Sequence, residues 1–313
     1  MKRKPLAIWS AIAVSALLAG CSTDHYARQL IQQDTSYGRI WEAMVGTSDQ
    51  LVKTKSISAA RRYTMPDKTE LDVWVVKALP RPRPRGTVLV IHGLCDSKVT
   101  YLRLARMIAD KGFDVILPDL RAHGRSTGKY VTYGALEKQD LKRVVDELLK
   151  EGLVPGPVYA FGQSMGAAVA IQYAAIEPSV KGVMAIAPSR DLRTTCRRLI
   201  NNIAPFMSNE DFEKVLARAG EIAGFDPNDG SSVDAIAKLQ CPVLLVHGKL
   251  DVAVPYTDSE VLYAAANDPK ELQLDPLAGH IGMPIGREAE ILEGIEKIAS
   301  GRIPTTTQPV GEP

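Results

Sequence analysis

Histidine is scarce in this 313-residue sequence, with five copies, and cysteine is scarcer, with four. The cysteines stand at 21, 95, 196 and 241 with no Cys-x-x-Cys pair, so the spacing typical of structural zinc sites is missing and no metal is expected. Beyond Cys21, the odd set Cys95, Cys196 and Cys241 does not make a disulfide framework; a Cys95–Cys196 bridge is left open, and Cys241, opening an apolar run, reads as a small hydrophobe. Net charge is nearly absent too. The formal +2 includes Lys2, Arg3 and Lys4 in a stretch, residues 1–20, that contains no acid, and without them the balance is −1. That gives no electrostatic case for a nucleic-acid partner. No internal repeat is visible, and nothing asks for a cofactor. The remaining composition, 45% hydrophobic and 24% charged, is ordinary, and the length suffices for one large α/β domain or two small ones with a sizeable core.

What is present gathers around one stretch. The apolar run Val158–Phe161 leads into Gly162-Gln163-Ser164-Met165-Gly166, and a small-residue helical pattern covers Ala167 to Ala175. Strand, sharp turn and helix are the context that a Gly-x-Ser-x-Gly nucleophile elbow requires. The bare pattern also occurs in ordinary turns; the flanking elements favour a nucleophile.

The N-terminus is the second informative region. Met1-Lys-Arg-Lys-Pro5 is a basic leader, Leu6 to Leu18 is apolar, and Leu18-Ala-Gly-Cys21 closes the run. This reads as a cleaved export signal, too short for a membrane span. Leu18-Ala19-Gly20-Cys21 resembles the bacterial lipobox, in which cleavage leaves an acylated N-terminal cysteine. The resemblance implies a membrane-tethered protein in the cell envelope, lipid-anchored through Cys21. Ser22 in place of aspartate favours the outer membrane, facing the periplasm, in a two-membrane bacterium. A plain secretory signal or an uncleaved anchor is the alternative.

Along the chain, residues 1–20 are thus the signal and 21–55 a tether with a short helix, whose apolar side is Ile31, Ile40, Trp41 and Met44. A hairpin follows, Ala60–Thr64 and Leu71–Val76 around Met65-Pro-Asp-Lys68. Arg81-Pro-Arg-Pro-Arg-Gly86 reads as a solvated extended connector, with contact to anionic headgroups as the less favoured reading. Thr87–Ile91, Phe113–Leu117, Val158–Phe161, Val180–Ala187, Pro242–His247 and Glu271–Leu274 are apolar runs of strand length. Helical patterns separate them: Tyr101–Lys111, Leu136–Glu151, the helix after the elbow, and Asp258–Ala266, with Arg287–Ile298 last. Alternation lapses over residues 189–239, which read as a helical insertion with loops at Asn201-Asn202 and Asp226–Gly230. Residues 301–313 read as a disordered tail. The repeated β-then-α order argues for an α/β fold, a doubly wound, mostly parallel sheet with helices on both faces. Ligands then belong at the carboxyl ends of its strands.

A serine needs a base, and the base needs an orienting acid. His25 lies in the tether, and His92, His123 and His247 each precede a glycine at a strand end or loop, where imidazoles brace turns. His280, just after the last strand, remains. Asp251 follows a buried strand between Ser164 and His280 and is the favoured acid; Asp191, after the preceding strand, is the alternative. Two backbone N–H groups must hold the oxyanion, and the best placed are those of Met165 and Leu94.

His92-Gly-Leu94, Asp119-Leu-Arg-Ala-His-Gly-Arg-Ser126, Gly162–Gly166, His247-Gly-Lys-Leu-Asp251 and Gly279-His280 together resemble the α/β-hydrolase superfamily. Within it they are similar to the branch of monoacylglycerol lipases, lysophospholipases and serine-aminopeptidase-like proteins. The likeness spans residues 57–300, with Ala122 where glycine is usual. It implies an α/β-hydrolase domain over 56–300, a cap at about 189–239 and a serine hydrolase acting on a small-molecule ester or lipid. In that cap Leu192, Cys196, Leu199, Ile200, Ile203 and Phe206 are candidate acyl-pocket residues. Arg190, Arg193 and Arg197 are candidates for an anionic group, though an amphipathic helix with a solvated basic face explains the same pattern. Amide hydrolysis and a non-catalytic envelope-binding lipoprotein are the competing readings.

Overall fold

The computed structural model describes residues 23–33, 35, 45–79, 83–280 and 286–305. The expected signal, residues 1–20, and Cys21 lie outside them, as do Ile40, Trp41, Met44 and residues 306–313.

Eight strands form one sheet in the order β1-β2-β4-β3-β5-β6-β7-β8. They are β1 (Ala59–Thr64), β2 (Glu70–Val76), β3 (Thr87–Ile91), β4 (Asp114–Pro118), β5 (Val158–Gln163), β6 (Val180–Ile186), β7 (Val243–Gly248) and β8 (Lys270–Asp275). The β1–β2 and β2–β4 pairs are antiparallel, and the pairs from β4 through to β8 are parallel. All five residues of β3 and of β4 are buried, because apolar layers cover both faces. Successive side chains alternate between those layers: Leu89 and Ile91 enter one, Val88 and Val90 the other.

The helices are α1 (Ser48–Lys53), α2 (Leu102–Asp110), α3 (Glu137–Lys150), α4 (Met165–Ile176), α5 (Leu192–Ile203), α6 (Asn209–Ala223), α7 (Ser232–Ile236), α8 (Thr257–Ala265) and α9 (Glu288–Ala299). In α3 the expected residues Leu141, Val144, Val145 and Leu148 face inward. The α4 helix is different. Every residue from Met165 to Ala174 is buried, as a helix apolar all round requires, and this fixes the start of α4 firmly beneath the cleft described below.

Several details depart from the sequence reading. Asn201 and Asn202 lie inside α5; the chain breaks after Ile203, because Pro205 bars Ala204 from helical backbone. The stretch after Cys21 is helical over residues 23–31 and buries Ala27, Leu30 and Ile31 in the same layer as α3, α4 and α6. Part of the expected tether is therefore packed domain. At the other end, Ile303 is buried, so the tail's first residues are packed as well. Arg85 of the expected connector is not merely solvated: it binds Glu296 through two bonds of 2.6 and 2.8 Å and stacks 4.4 Å from the Phe113 ring. Cys95 and Cys196 are not bridged.

Candidate active site

The turn from β5 into α4 places Ser164 at φ +54° and ψ −122°, a strained backbone for a residue with a side chain. The Ser164 N–H donates to the Ile186 carbonyl at 2.8 Å and pins the turn to β6. Glycine is required on both sides. A Cβ at 162 would collide with the backbone of Gly166, and one at 166 with the carbonyls of Ile91 and His92.

His280 comes to Ser164 from the loop after β8. Its Nε2 lies 2.9 Å from Ser164 Oγ, and its Nδ1 lies 2.6 Å from Asp251 Oδ2. A carboxylate accepts, so Nδ1 carries the proton and Nε2 is left to accept from the serine. Asp251 Oδ1 accepts from the N–H groups of Ala253 and Val254, at 2.9 and 2.8 Å. Burial alone would push the Asp251 carboxyl up. Hydrogen bonds from His247, His280 and the Val254 N–H outweigh it and hold the carboxyl well below the ordinary range, so it stays charged.

Two further histidines hold the loops. His247 Nε2 donates to the Val254 carbonyl at 2.9 Å and lies 3.3 Å from Asp251, while Nδ1 meets the Ser259 hydroxyl at 2.7 Å. His92 donates Nδ1–H to the Gly93 carbonyl at 2.8 Å and accepts at Nε2 from the Leu120 N–H at 3.0 Å. Burial pushes His92 down to about 4, which keeps it neutral and able to do both. Because the peptide is planar and trans, tying down the Gly93 carbonyl turns the Leu94 N–H the opposite way. Leu94 and Met165 border the same cleft as Ser164 and His280, a cavity of about 480 Å³. Met165 opens α4, so its N–H has no acceptor within the helix and sits at the positive end of the helix dipole.

Residues 82–218 match the family described as serine aminopeptidase, S33. The uncharacterized protein YqkD of Bacillus subtilis is 28% identical over 222 residues, 68% of this chain and 70% of its own length. Human monoglyceride lipase is 28% identical over 205 residues, 55% of this chain and 67% of its own. Among solved structures, an esterase of Pyrococcus furiosus superposes with a TM-score of 0.62 at 24% identity, covering 81% of this chain and 94% of the esterase. The chain has the α/β-hydrolase fold.

Asp191, the alternative acid, is engaged elsewhere, while Asp251 takes His280 Nδ1. Asp191 caps α5, accepting from the Thr194 N–H at 2.5 Å and the Thr194 hydroxyl at 2.8 Å. The cap side chains divide differently from expectation. Leu192, Cys196 and Ile200 turn into the core, Ile203 and Phe206 are exposed, and Leu199 alone of the six borders the cleft. Arg193 pairs with Glu213 on α6, and Arg197 binds the Met207 carbonyl and Asn209, both at 2.9 Å. Arg190 reaches Thr194 Oγ1 at 3.3 Å. The arginine at the cleft is Arg198, clamped through two 2.7 Å bonds to Asp258. Its sequence signal was one more basic residue in a basic helix.

Sequence reasoning also missed Lys98. Its fully buried ammonium pairs with Asp119 and Asp72, the latter at 2.9 Å, and lies 4.6 Å from the Trp74 ring. Asp119 further accepts from the N–H groups of Lys98 and Arg125, both at 2.9 Å, and a side chain at Gly124 would strike it. The Asp119–Ser126 motif is thus a folded support behind the Leu94 loop.

Proposed function

We propose that this hydrolase cleaves carboxylic esters through Ser164, with His280 as base and Asp251 as the acid that orients it. One observation carries the reading: Ser164, His280 and Asp251 form an unbroken hydrogen-bonded row at the end of a cleft, at 2.9 and 2.6 Å. Ser164 Oγ attacks the acyl carbon as His280 Nε2 takes its proton, and the same proton then goes to the departing alcohol. The N–H groups of Leu94 and Met165 face the developing oxyanion. A water molecule, deprotonated by His280, frees the acyl group. Only the backbone of Leu94 serves the oxyanion, so Leu94→Ala is expected to have a mild effect on kcat.

The walls support an ester with an uncharged polar portion. Leu94, Met165, Ala168, Leu199 and Val254 line the cleft with apolar surface, and Thr195, Asn201 and Asn202 add polar groups. Arg198 is already paired with Asp258, so it offers hydrogen bonds with its charge balanced. This set suits the ammonium of an aminopeptidase substrate poorly, which favours ester over amide. The names of the human lipase and the Pyrococcus esterase agree with that choice.

Fluorophosphonate labelling of wild type against Ser164→Ala tests the reading. Labelling and ester hydrolysis that vanish with Ser164→Ala are expected; wild-type protein that is folded yet unlabelled overturns it. Anchoring to the envelope through Cys21 belongs to the same proposal and is supported by Leu18-Ala19-Gly20-Cys21. Cys21→Ser is expected to move the protein from the membrane to the soluble fraction, and unchanged fractionation refutes the anchor.

A further inference from the structure

The cleft that Ser164 borders is also lined by a tyrosine that the reaction does not use. Tyr133 borders the cleft with Leu94, Met165 and Ala168, is buried, and has φ of +53°. A bulky residue held in left-handed backbone is costly and persists only where its surroundings over-determine it.

Three sets of contacts do so. The fully buried Glu137 accepts from the Thr132 N–H at 2.8 Å, the Thr132 hydroxyl at 2.6 Å and the Gly134 N–H at 2.8 Å, so one carboxylate cages the turn on both sides of Tyr133. From α4, Gln172 donates to the Tyr133 carbonyl at 3.2 Å. The third set comes from residues 23–31. The Tyr133 hydroxyl donates to the Leu30 carbonyl at 2.5 Å, and the Val131 N–H to that of Ile31 at 2.9 Å. The same segment reaches the insertion, where Arg218 of α6 donates to Asp24 at 2.5 Å, and its Ala27 is completely buried.

Resting on the ester reading above, we infer that Tyr133 sets how deep an acyl chain reaches beside Ser164, and that residues 23–31 are the brace that holds it there. In this reading the ring is a fixed wall, because its hydroxyl is tied to the carbonyl of Leu30, which does not border the cleft. Truncating the ring lengthens the cleft; cutting the tie lets the ring yield. A segment at first sight meant only to lead the chain away from its N-terminus is thereby part of substrate selection.

The test measures kcat and KM for p-nitrophenyl esters from acetate to decanoate, after active sites are counted with a fluorophosphonate. Tyr133→Ala is expected to move the optimum at least two methylenes longer, with kcat/KM for those esters up about tenfold, mainly through KM, and acetate hydrolysis changed less than about threefold. A folded, labelled Tyr133→Ala with the wild-type chain-length profile overturns the inference. Where that variant does not fold, Tyr133→Phe decides, since it removes only the hydroxyl: a broadened profile supports the brace and an unchanged one overturns it. Ala27→Glu, which wedges residues 23–31 off the domain, is expected to broaden the profile in the same way and to speed amide exchange at 131–134; wild-type values for both overturn the brace. Wild-type protein that neither labels nor hydrolyses esters removes the ester reading instead, while exchange at 131–134 still reports on the brace by itself.

Discussion

Asp191 and Asp251 are two aspartates in equivalent settings that end with unlike tasks. Each stands a few residues beyond a buried parallel strand, β6 for one and β7 for the other, at the edge where ligands bind in such folds. Asp191 uses both oxygens on Thr194 and starts α5. Asp251 uses one oxygen on the N–H groups of its own loop and turns the other to His280, with His247 3.3 Å from that same oxygen. The difference lies in the next four residues. Leu192-Arg-Thr-Thr195 winds into a helix whose first N–H groups need an acceptor. Val252-Ala-Val-Pro255 does not, and His247 holds that loop open from below. In the proposed mechanism, the acid that serves His280 is the one whose own loop occupies only one of its two oxygens.

Exchanging Asp251 for asparagine is the most severe way to break the comparison. The amide still accepts from Ala253 and Val254, but its NH2 then faces His280 Nδ1 and drives the imidazole into the tautomer with its proton toward Ser164. A loss in kcat of roughly 10⁴ is expected, with folding kept. Thermal melts follow the charge. The folded-state pKa of Asp251 is depressed, so its stabilisation is present above the unfolded carboxylate value of about 3.9 and is lost as pH falls through the folded value. The stability gap between wild type and Asp251→Asn should therefore hold from about pH 5 to 8 and narrow below about pH 4. A gap that widens in acid contradicts the assignment.

His247→Gln sharpens the point with an intermediate effect. Glutamine leaves the acid in place yet disturbs the link through Val254 and Ser259 that positions its loop. A fall in kcat of about tenfold to a hundredfold, with little change in KM, is expected from misplacement alone. Kinetics indistinguishable from wild type would make His247 an ordinary buried histidine.

How far this contrast was legible beforehand depended on range. Ser164, the strand order of the motifs and His280 follow from local pattern: apolar runs, glycines flanking a serine, and one histidine left after the turn-bracing ones are set aside. Asp251 was preferable to Asp191 by position along the chain, but their division of labour needed the donors around each. Lys98, Arg198 and Tyr133 were beyond reach for one shared reason. Each is defined by partners distant in sequence, Asp119 and Asp72, Asp258, and Leu30 respectively, and none lies on a periodic apolar stripe that would give it away. The helix at 23–31 was missed because its apolar face, Tyr26, Ala27, Leu30 and Ile31, begins within five residues of Cys21, where the cleavage signal dominates the reading.

The smallest expected effect closes the comparison from the other side. Asp191→Ala removes the N-cap of α5 and leaves the Thr194 N–H without its acceptor, which costs about 1 kcal/mol of stability. For a domain of this size that is a lowering of Tm by about 2–4 °C. The α5 helix also supplies Thr195, Arg198 and Leu199 to the cleft, so a frayed first turn should raise KM slightly. The proposed proton path from Ser164 through His280 does not pass through it, so kcat should stay within about twofold of wild type. Melting and steady-state kinetics on the one variant separate the two roles: a kcat loss approaching that of Asp251→Asn would mean that Asp191, and not Asp251, is the acid that His280 uses in turnover.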